Sequence, residues 1–322
     1  MKKIKILSIV NMYPSKKNPQ HGIFIKRELQ QMLLNYSIDY KIISIDTNSI
    51  KNFLKSILLV ISLNFQNKKI DLVHSYHGLS GFIGLFYFKS PKIATFTGSD
   101  LNRTNPKVLS KSSFVNYISI LVSFFSSFNI VRNKAMLSKI KGPGAIIPSG
   151  VDLSFFKSLE KRQCRKSLNL SSTKKYILFV GNKLDSNKDY SLFQSSFELI
   201  KNEIDCEEIV AYNLDRVHFL IILNSIDVLI FTSKFEGSSN TIKESIACGI
   251  PIVSVDVGDS ENLLNNYAYG KIVPRNKESI SKSCLKLIKN KLEVEGHKII
   301  TKKELSLDQT TQKIYRQYTN LI

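Results

Sequence analysis

Short apolar runs alternate with longer amphipathic segments along the chain, which is the pattern of parallel α/β layers. In the first half, the apolar runs predict strands near 4–10, 40–45, 72–74, 93–96, 129–131 and 145–147. Helical spacing between them predicts helices that include 24–35, 79–88 and 108–125. A second series of strands, near 176–180, 208–211, 228–231 and 252–255, follows the charged segment 157–170.

This order predicts an α/β protein with two Rossmann-like domains joined near 152–159. We expect an N-terminal domain over 1–155 and a C-terminal domain over 156–305. A last helix over 306–322 is expected to pack back towards the N-terminal domain.

Two apolar stretches, 53–65 and 114–131, resemble membrane spans at first sight. The first is too short to cross a bilayer, and the second contains asparagines and several serines. Both are therefore expected to be core helices, with a membrane-facing amphipathic helix as the alternative.

Composition places the chain among folded proteins, since 43% of its 322 residues are hydrophobic. The cysteines form no CxxC pair and have no histidine at zinc-ligand spacing, so neither a disulfide framework nor a zinc site is indicated. Their positions are Cys164, Cys206, Cys248 and Cys284. A reducing, cytoplasmic location fits this usage best.

The net charge is +20, and it is distributed unevenly. Residues 1–155 hold 21 Lys or Arg against 6 Asp or Glu, whereas residues 156–322 hold 25 against 20. The excess in the first half predicts either a solvated basic surface or attraction to an anionic membrane. Nucleic-acid motifs are absent from the sequence, so no nucleic-acid partner is expected.

The segment FEGSSNTIKESIACGIPIVSVDVGD, residues 235–259, carries the strongest chemical signal. Its small polar residues are predicted to begin a helix, where exposed N–H groups and the helix dipole favour a phosphate. They are Gly237, Ser238, Ser239, Asn240 and Thr241. A carboxylate further along, Glu244, can accept hydrogen bonds from the vicinal hydroxyls of a ribose. The alternative is a capping box, in which Glu244 only closes its own helix together with Thr241.

This segment resembles the E-x7-E element, followed by A-x-G-x-P, of the family-four glycosyltransferases, which have the GT-B fold and retain anomeric configuration. The residues of this chain that match the motif are Glu236, Glu244, Ala247, Gly249 and Pro251. The stretches YPSKKNPQHGIFIKREL, DLVHSYHGLSG, FTGSDL, IIPSGVDLSFF and ILFVGNKLDSNKDYSLF resemble further parts of the family. The resemblance covers most of the chain and is to the type that builds bacterial cell-surface polysaccharides.

The resemblance implies roles for the C-terminal domain. The loop containing Gly181, Lys183 and Lys188 would grip the diphosphate of a nucleotide sugar, although Asn182 stands where the family usually has arginine. Glu244 would bind the ribose. Glu236 would lie beside the donor sugar.

Weaker assignments fall in the N-terminal domain. Gly22 would let a backbone N–H approach the donor, or is only a turn glycine. His77 is a candidate acceptor-side base, or is structural. Asp100 resembles a family position near the acceptor, or caps a helix. The family often has histidine where Thr97 stands.

The implied reaction is retaining transfer from a nucleotide-diphosphate sugar to a glycan or lipid-linked acceptor at the cytoplasmic membrane face. No metal or other cofactor is expected, because Asp256 and Asp259 are assigned to a strand end and a turn. Two alternatives remain open at this point. One is a GT-B sugar-nucleotide epimerase, and the other is a basic nucleic-acid binder without enzymatic activity.

Overall fold

The computed structural model describes residues 3–15, 21–46, 49–67, 69–102, 111–289 and 295–322. The chain divides into two compact units. Unit 1 comprises Met1–Ser149 with Leu307–Ile322, and unit 2 comprises Gly150–Ser306. Each unit contains a parallel sheet with helices, which confirms the predicted α/β class with two Rossmann-like domains.

Unit 1 is built on a six-stranded sheet. Its strands are β1 (Ile4–Val10), β2 (Ile38–Ser44), β3 (Leu72–Tyr76), β4 (Lys92–Thr95), β5 (Phe128–Val131) and β6 (Gly144–Ile146). They are parallel and lie in the order β2-β1-β3-β4-β5-β6. Its helices are α1 (Ile23–Asn35), α2 (Ile50–Leu63), α3 (Gly78–Gly84), α4 (Ser99–Asn102), α5 (Lys111–Phe125) and α6 (Lys134–Leu137). The predicted helix 108–125 begins at residues outside the described part of the chain.

Unit 2 is built on a five-stranded sheet. Its strands are β7 (Lys175–Val180), β8 (Cys206–Ala211), β9 (Val228–Phe231), β10 (Ile252–Val255) and β11 (Gly270–Val273), in the parallel order β11-β10-β9-β7-β8. Its helices are α7 (Lys161–Ser167), α8 (Tyr190–Lys201), α9 (Arg216–Ser225), α10 (Asn240–Ala247), α11 (Ser260–Leu264), α12 (Lys277–Lys289) and α13 (Gly296–Lys302). Strand β11 was not predicted, because glycine and an exposed lysine interrupt its short apolar run.

The last helix, α14 (Leu307–Leu321), is part of unit 1 and packs against α1. Tyr36 and Tyr315 stack with their ring centroids 3.9 Å apart. Asp308 accepts a hydrogen bond from the side-chain amide of Asn35 at 3.0 Å. The buried side chains of Ile314 and Tyr318 reach the core beneath the sheet.

Alternation along the strands of unit 1 decides which helix covers which face of the sheet. On one face, Ile6 and Leu72 pack with α14 and with Met32 of α1. On the other face, Leu7 and Val73 pack with α2 and α3. Helix α3 also packs against α5, so α2, α3 and α5 share this second face.

The expectation that α2 and α5 are core helices is wrong for their outer sides. Each helix buries only one face, and α2 has just Val60 and Leu63 fully buried. Among the side chains turned outwards, Leu58 is 65% exposed and Phe114 is also 65% exposed. Within the described residues, no helix is both long enough and apolar enough to cross a bilayer.

Unit 1 also buries a connected network of polar side chains. Glu28 and Arg132 are each 2% exposed, with 3.6 Å between carboxylate and guanidinium. The Tyr76 hydroxyl donates to Glu28 at 2.6 Å. His74 is fully buried, with Nδ1 2.6 Å from the Tyr318 hydroxyl, which joins α14 to the sheet.

His74 gives unit 1 a pH-dependent stability. Burial, reinforced by the nearby charge of Arg132, lowers the pKa of His74 to about 3. The folded unit therefore keeps this imidazole neutral, whereas the unfolded chain binds a proton below the ordinary histidine pKa of about 6.5. The contribution of His74 to stability is therefore fully present above a pH of about 6.5. It is lost progressively as the pH falls from there towards the folded-state pKa of about 3.

We expect the free energy of unfolding to fall by about 2 kcal/mol more in the unaltered protein than in His74→Gln between pH 7 and pH 5. The measurement is urea denaturation followed by circular dichroism at several pH values. The matched control is His218→Gln, at an exposed histidine. Equal pH dependence in the unaltered protein and His74→Gln would contradict the assignment.

Candidate active site

The candidate site lies at the carboxyl ends of three neighbouring strands of unit 2. Strand β7 pairs with β8 on one side and with β9 on the other, so the strand order reverses direction at β7. Ligands of open α/β sheets bind at such a point, outside the carboxyl ends of the strands. The loops that follow β7 and β9, together with α10, contain most of the residues predicted for the donor.

An ion pair stands at this edge. Lys188 Nζ lies 2.6 Å from Glu236 Oε1 and 3.5 Å from the Ser233 hydroxyl. The side chains of the pair are 27% and 19% exposed, so solvent reaches both. The structure thus brings two sequence-predicted residues into direct contact, and these come from different loops.

Hydrogen bonds between the two loops fix the position of the pair. The Thr232 hydroxyl donates to the Lys188 carbonyl at 2.8 Å. The Lys234 N–H donates to the Asn187 carbonyl at 2.8 Å, and the Asn187 side chain exchanges hydrogen bonds with the backbone of Phe235. Hydrogen bonds to the carbonyls of Lys188 and of the preceding Asn187 therefore hold the backbone in place at Lys188.

Gly181 makes room for Lys188. Its φ of 145° is one that side-chain-bearing residues rarely adopt, and a Cβ there would lie 2.7 Å from Lys188 Cγ. Lys188 can therefore lie directly against the backbone at the end of β7. The sequence prediction placed both residues in one phosphate loop, and the structure shows this contact between them.

The helix α10 begins at this edge with its first N–H groups directed towards the loops. Its N-cap is Ser239, whose hydroxyl accepts a hydrogen bond from the Ile242 N–H at 3.3 Å. Thr241 is inside the helix, so the alternative of a Thr241–Glu244 capping box is wrong. Glu244 lies one turn into α10 and is 8% exposed.

A buried lysine that sequence reasoning missed supports the start of α10. Lys243 is fully buried, and its ammonium donates to the Ser238 hydroxyl at 3.1 Å. Burial raises the pKa of Asp259, and both the charge of Lys243 and a hydrogen bond from Ser238 act against that rise. The density of small residues after Lys243 was the available signal, since it indicates a helix buried on all sides.

Arg275 was also missed. Its guanidinium donates to Asp189 at 3.0 Å and to the backbone carbonyls of Thr232 and Ser233. Arg275 follows β11, the strand that the apolar pattern did not reveal. Recognising β11 would have placed Arg275 at the same edge as Lys188.

Lys183 lies apart from the ion pair. Its ammonium donates to the Tyr190 hydroxyl at 2.7 Å and to Glu208 at 2.9 Å. These two partners raise the pKa of Lys183, so it remains a cation. Its ion-pair partner is therefore Glu208 rather than Glu236.

In unit 1 the structure brings two predicted residues together after neighbouring strands. His77 follows β3 with a φ of 82°, and its ring accepts a hydrogen bond from the Leu79 N–H as the N-cap of α3. Asp100 is fully buried and accepts from the N–H groups of Thr97, Gly98 and Gly78. These contacts favour the capping alternative for Asp100, which fixes the loop beside His77.

Gly22 begins α1 in the left-handed region, with φ 71°. A Cβ at this position would lie 2.3 Å from the Met12 carbonyl oxygen. The glycine is therefore required by a close approach of the backbone after β1.

Comparison with known proteins agrees with this geometry. Residues 212–290 match the family model described as "Glycosyl transferases group 1". This range includes the loop after β9, α10 and β10, and thus the E-x7-E element. A sequence comparison with curated proteins finds no match.

Solved structures resemble the chain over nearly its full length. Sucrose-phosphate synthase from Thermosynechococcus elongatus aligns with a TM-score of 0.78 at 13% identity, covering 98% of this chain and 99% of the other. HepE from Anabaena, in complex with UDP-glucose, aligns with 0.74 at 12% identity, covering 98% and 100%. A glycosyltransferase from Rickettsia africae ESF-5 aligns with 0.70 at 16% identity, covering 100% and 99%.

The chain has the GT-B fold and contains a segment that matches a glycosyltransferase family. The structural likeness gives the fold, and the family match lies on the unit that carries the ion pair and α10. This agrees with the expected enzyme class and fold. It also argues against a basic nucleic-acid binder without enzymatic activity.

The close contact between Gly181 and Lys188 gives a prediction. Gly181→Ala should lower the free energy of unfolding by about 1–3 kcal/mol, because it combines a strained φ with a clash against Lys188. The measurement is urea denaturation of the whole chain. Gly150→Ala is the control, since Gly150 has no positive φ. Unchanged stability in Gly181→Ala would show that Lys188 does not need this space.

Proposed function

We propose that the enzyme transfers a sugar from a nucleotide-diphosphate sugar, with retention of configuration, to a membrane-proximal glycan or glycolipid in cell-surface polysaccharide synthesis. The observation that carries the proposal is the contact of Lys188 with Glu236 beside the start of α10. Support for a nucleotide sugar also comes from HepE, whose structure contains UDP-glucose.

Positive potential at the site suits a diphosphate. Lys188 supplies a cation, and the first N–H groups of α10 add the positive end of a helix dipole. Arg275 braces the loop that carries Ser233, so these donors are held in place before the ligand arrives. Such fixed positive groups would stabilise the negative charge that develops on the departing nucleoside diphosphate.

Binding would change the ion pair. A diphosphate offers Lys188 a stronger acceptor than the single carboxylate of Glu236. When Lys188 turns to phosphate, Glu236 is released towards the donor sugar. There it would orient hydroxyls or stabilise positive charge at the anomeric carbon as the bond to the leaving group lengthens.

Glu244 is assigned to the ribose. It follows the N-terminal residues of α10 by about one turn, so it lies beside the N–H groups assigned to phosphate. A mostly buried carboxylate in that position accepts both vicinal hydroxyls with little competition from water. No metal is assigned to the site, because Lys188 and α10 supply the charge.

The acceptor is assigned to unit 1. His77 is the candidate base there, and its positive φ is the kind of local strain that occurs at functional positions. Asp100 then acts as a positioning residue through Gly78, next in sequence to His77. The basic excess of residues 1–155 favours an acceptor on an anionic membrane surface.

Nucleotide affinity provides the first test of the donor site. Lys188→Met and Glu244→Gln should each weaken nucleoside diphosphate binding about 10- to 100-fold, since each removes a hydrogen bond to a charged group. The measurement is isothermal titration with a panel of nucleoside diphosphates. The control is Lys174→Met, which removes an exposed lysine paired with Glu207. A lower melting temperature with unchanged affinity in Glu244→Gln would make Glu244 structural.

Turnover tests Glu236 separately. Glu236→Gln should bind the nucleoside diphosphate at least as well as the unaltered enzyme, because it removes the residue that competes for Lys188. Its kcat should fall about 100-fold, as expected for loss of one stabilising group in the transition state. The product's anomeric configuration, read by NMR, tests retention. Unchanged kcat would remove Glu236 from the reacting centre.

A further inference from the structure

Two helices on one face of unit 1 expose stripes of apolar side chains. Along residues 113–125 of α5, every exposed side chain is large and apolar. They follow one another at intervals of mostly three or four residues and therefore form one stripe along the helix. The stripe consists of Phe114, Tyr117, Leu121, Phe124 and Phe125, of which Tyr117 is 72% exposed.

Helix α2 carries a second stripe. Ile50, Leu54 and Leu58 recur every four residues and are exposed, and Phe65, just beyond the helix, is 83% exposed. Helix α3 packs against both α2 and α5, so the two stripes lie on the same side of the sheet. Phe88, after α3, is also exposed. We call these exposed residues of α2, α5 and the turns after α2 and α3 the apolar face.

The apolar face is unusual for this chain as well as for proteins in general. Sixteen of the twenty large hydrophobic residues exposed in the described part of the chain lie in unit 1. The four in unit 2 are Leu184, Tyr212, Val217 and Phe235. Contiguous exposed apolar surface usually marks a site of interaction with protein or membrane.

The charge of the surrounding sequence indicates which kind of partner binds the apolar face. Residues 47–151, which include α2, α3 and α5, contain 13 Lys or Arg but only two acidic residues, Asp71 and Asp100. Asp100 is fully buried and 10% of the Asp71 side chain is exposed, so little negative charge faces solvent. Lys51 and Lys55 are exposed on α2 beside its apolar stripe.

An apolar stripe next to lysines matches the interface of an anionic bilayer. Apolar side chains enter the boundary between headgroups and acyl chains, and lysines extend to the phosphates. Tyrosine suits the same depth because it has one apolar and one polar end. A nucleic acid would satisfy the lysines but would leave the leucines of α2 in water.

We propose that the apolar face docks unit 1 on an anionic lipid bilayer, with α2 and α5 lying in the interface rather than crossing it. This deepens the proposed function and rests on it, since it identifies the surface that would bring the enzyme to a lipid-linked acceptor. The length of α5 agrees with a helix that lies in the interface. It has 15 residues and spans about 22 Å, which is less than the thickness of the hydrocarbon core, about 30 Å.

The test measures binding of the whole chain to phosphatidylcholine vesicles with and without phosphatidylglycerol. The charge variant is Lys51→Glu with Lys55→Glu, and it should weaken binding to anionic vesicles at least about thirty-fold, as two lost lysine contacts imply. The apolar variant is Leu54→Gln, Leu58→Gln and Tyr117→Gln, with an expected loss of at least about tenfold. Added salt should weaken binding of the unaltered chain.

Matched variants in unit 2 separate this surface from general basicity. Lys282→Glu with Lys286→Glu reverses two lysines at the same four-residue spacing on α12. Leu184→Gln with Val217→Gln removes apolar side chains that are as exposed as those of α2. Both controls should leave vesicle binding unchanged, and circular dichroism checks that every variant is folded.

Three outcomes would overturn the proposal. One is equal loss of binding in the unit 2 controls, and another is absence of binding by the unaltered chain at low salt. A third is a dimer, seen by sedimentation, that the apolar variant dissociates, which would make a second copy the occupant. Nucleoside diphosphate titration of the same variants is independent of these outcomes. Intact nucleotide binding without vesicle binding would refute the docking surface and leave the donor site standing.

Discussion

The ion pair between Lys188 and Glu236 joins residues 48 positions apart in sequence, and parallel strand order is what makes this contact possible. Strands β7 and β9 are neighbours that end at the same edge of the sheet. The loop after each strand therefore emerges beside the other, and the Lys234 N–H of one loop donates to the Asn187 carbonyl of the other. The other features of the candidate site depend on this arrangement, including the space at Gly181 and the position of α10.

Side chains behind the pair hold the loops of this polar site in place. Arg275 ties the loop after β9 to Asp189 at the start of α8. Lys243 holds Ser238 from within the core, although burying an ammonium carries a desolvation cost. Glu236 pairs with Lys188 at 2.6 Å. Under the proposed function, phosphate replaces that carboxylate as the partner of Lys188, so the contact that joins the two loops also places Glu236 for the sugar.

The sequence predicted much of the fold because apolar runs and helical spacing are local signals. All six strands of unit 1 and four of the five in unit 2 were found within two residues of their ends. Lys188, Glu236 and Glu244, which we assign to the donor, were named from the family resemblance. Arg275 and Lys243 were not, since one follows an irregular strand and the other is a lysine that local pattern assigns to solvent. The sequence also does not reveal which side chains pair with each other, such as Lys183 with Glu208.

In two places in unit 1, the burial of side chains does not follow their polarity. Glu28 and Arg132 are charged yet buried, whereas the leucines and aromatic residues of α2 and α5 are exposed. Helical periodicity reveals that a segment is amphipathic, but it does not determine which side meets water. The buried network of polar side chains, which includes His74 and Tyr318, holds α14 and α1 on one face of the sheet. On the opposite face, the outer sides of α2 and α5 form the apolar face. The thirteen basic and only two acidic residues along 47–151 favour a partner that is both apolar and anionic.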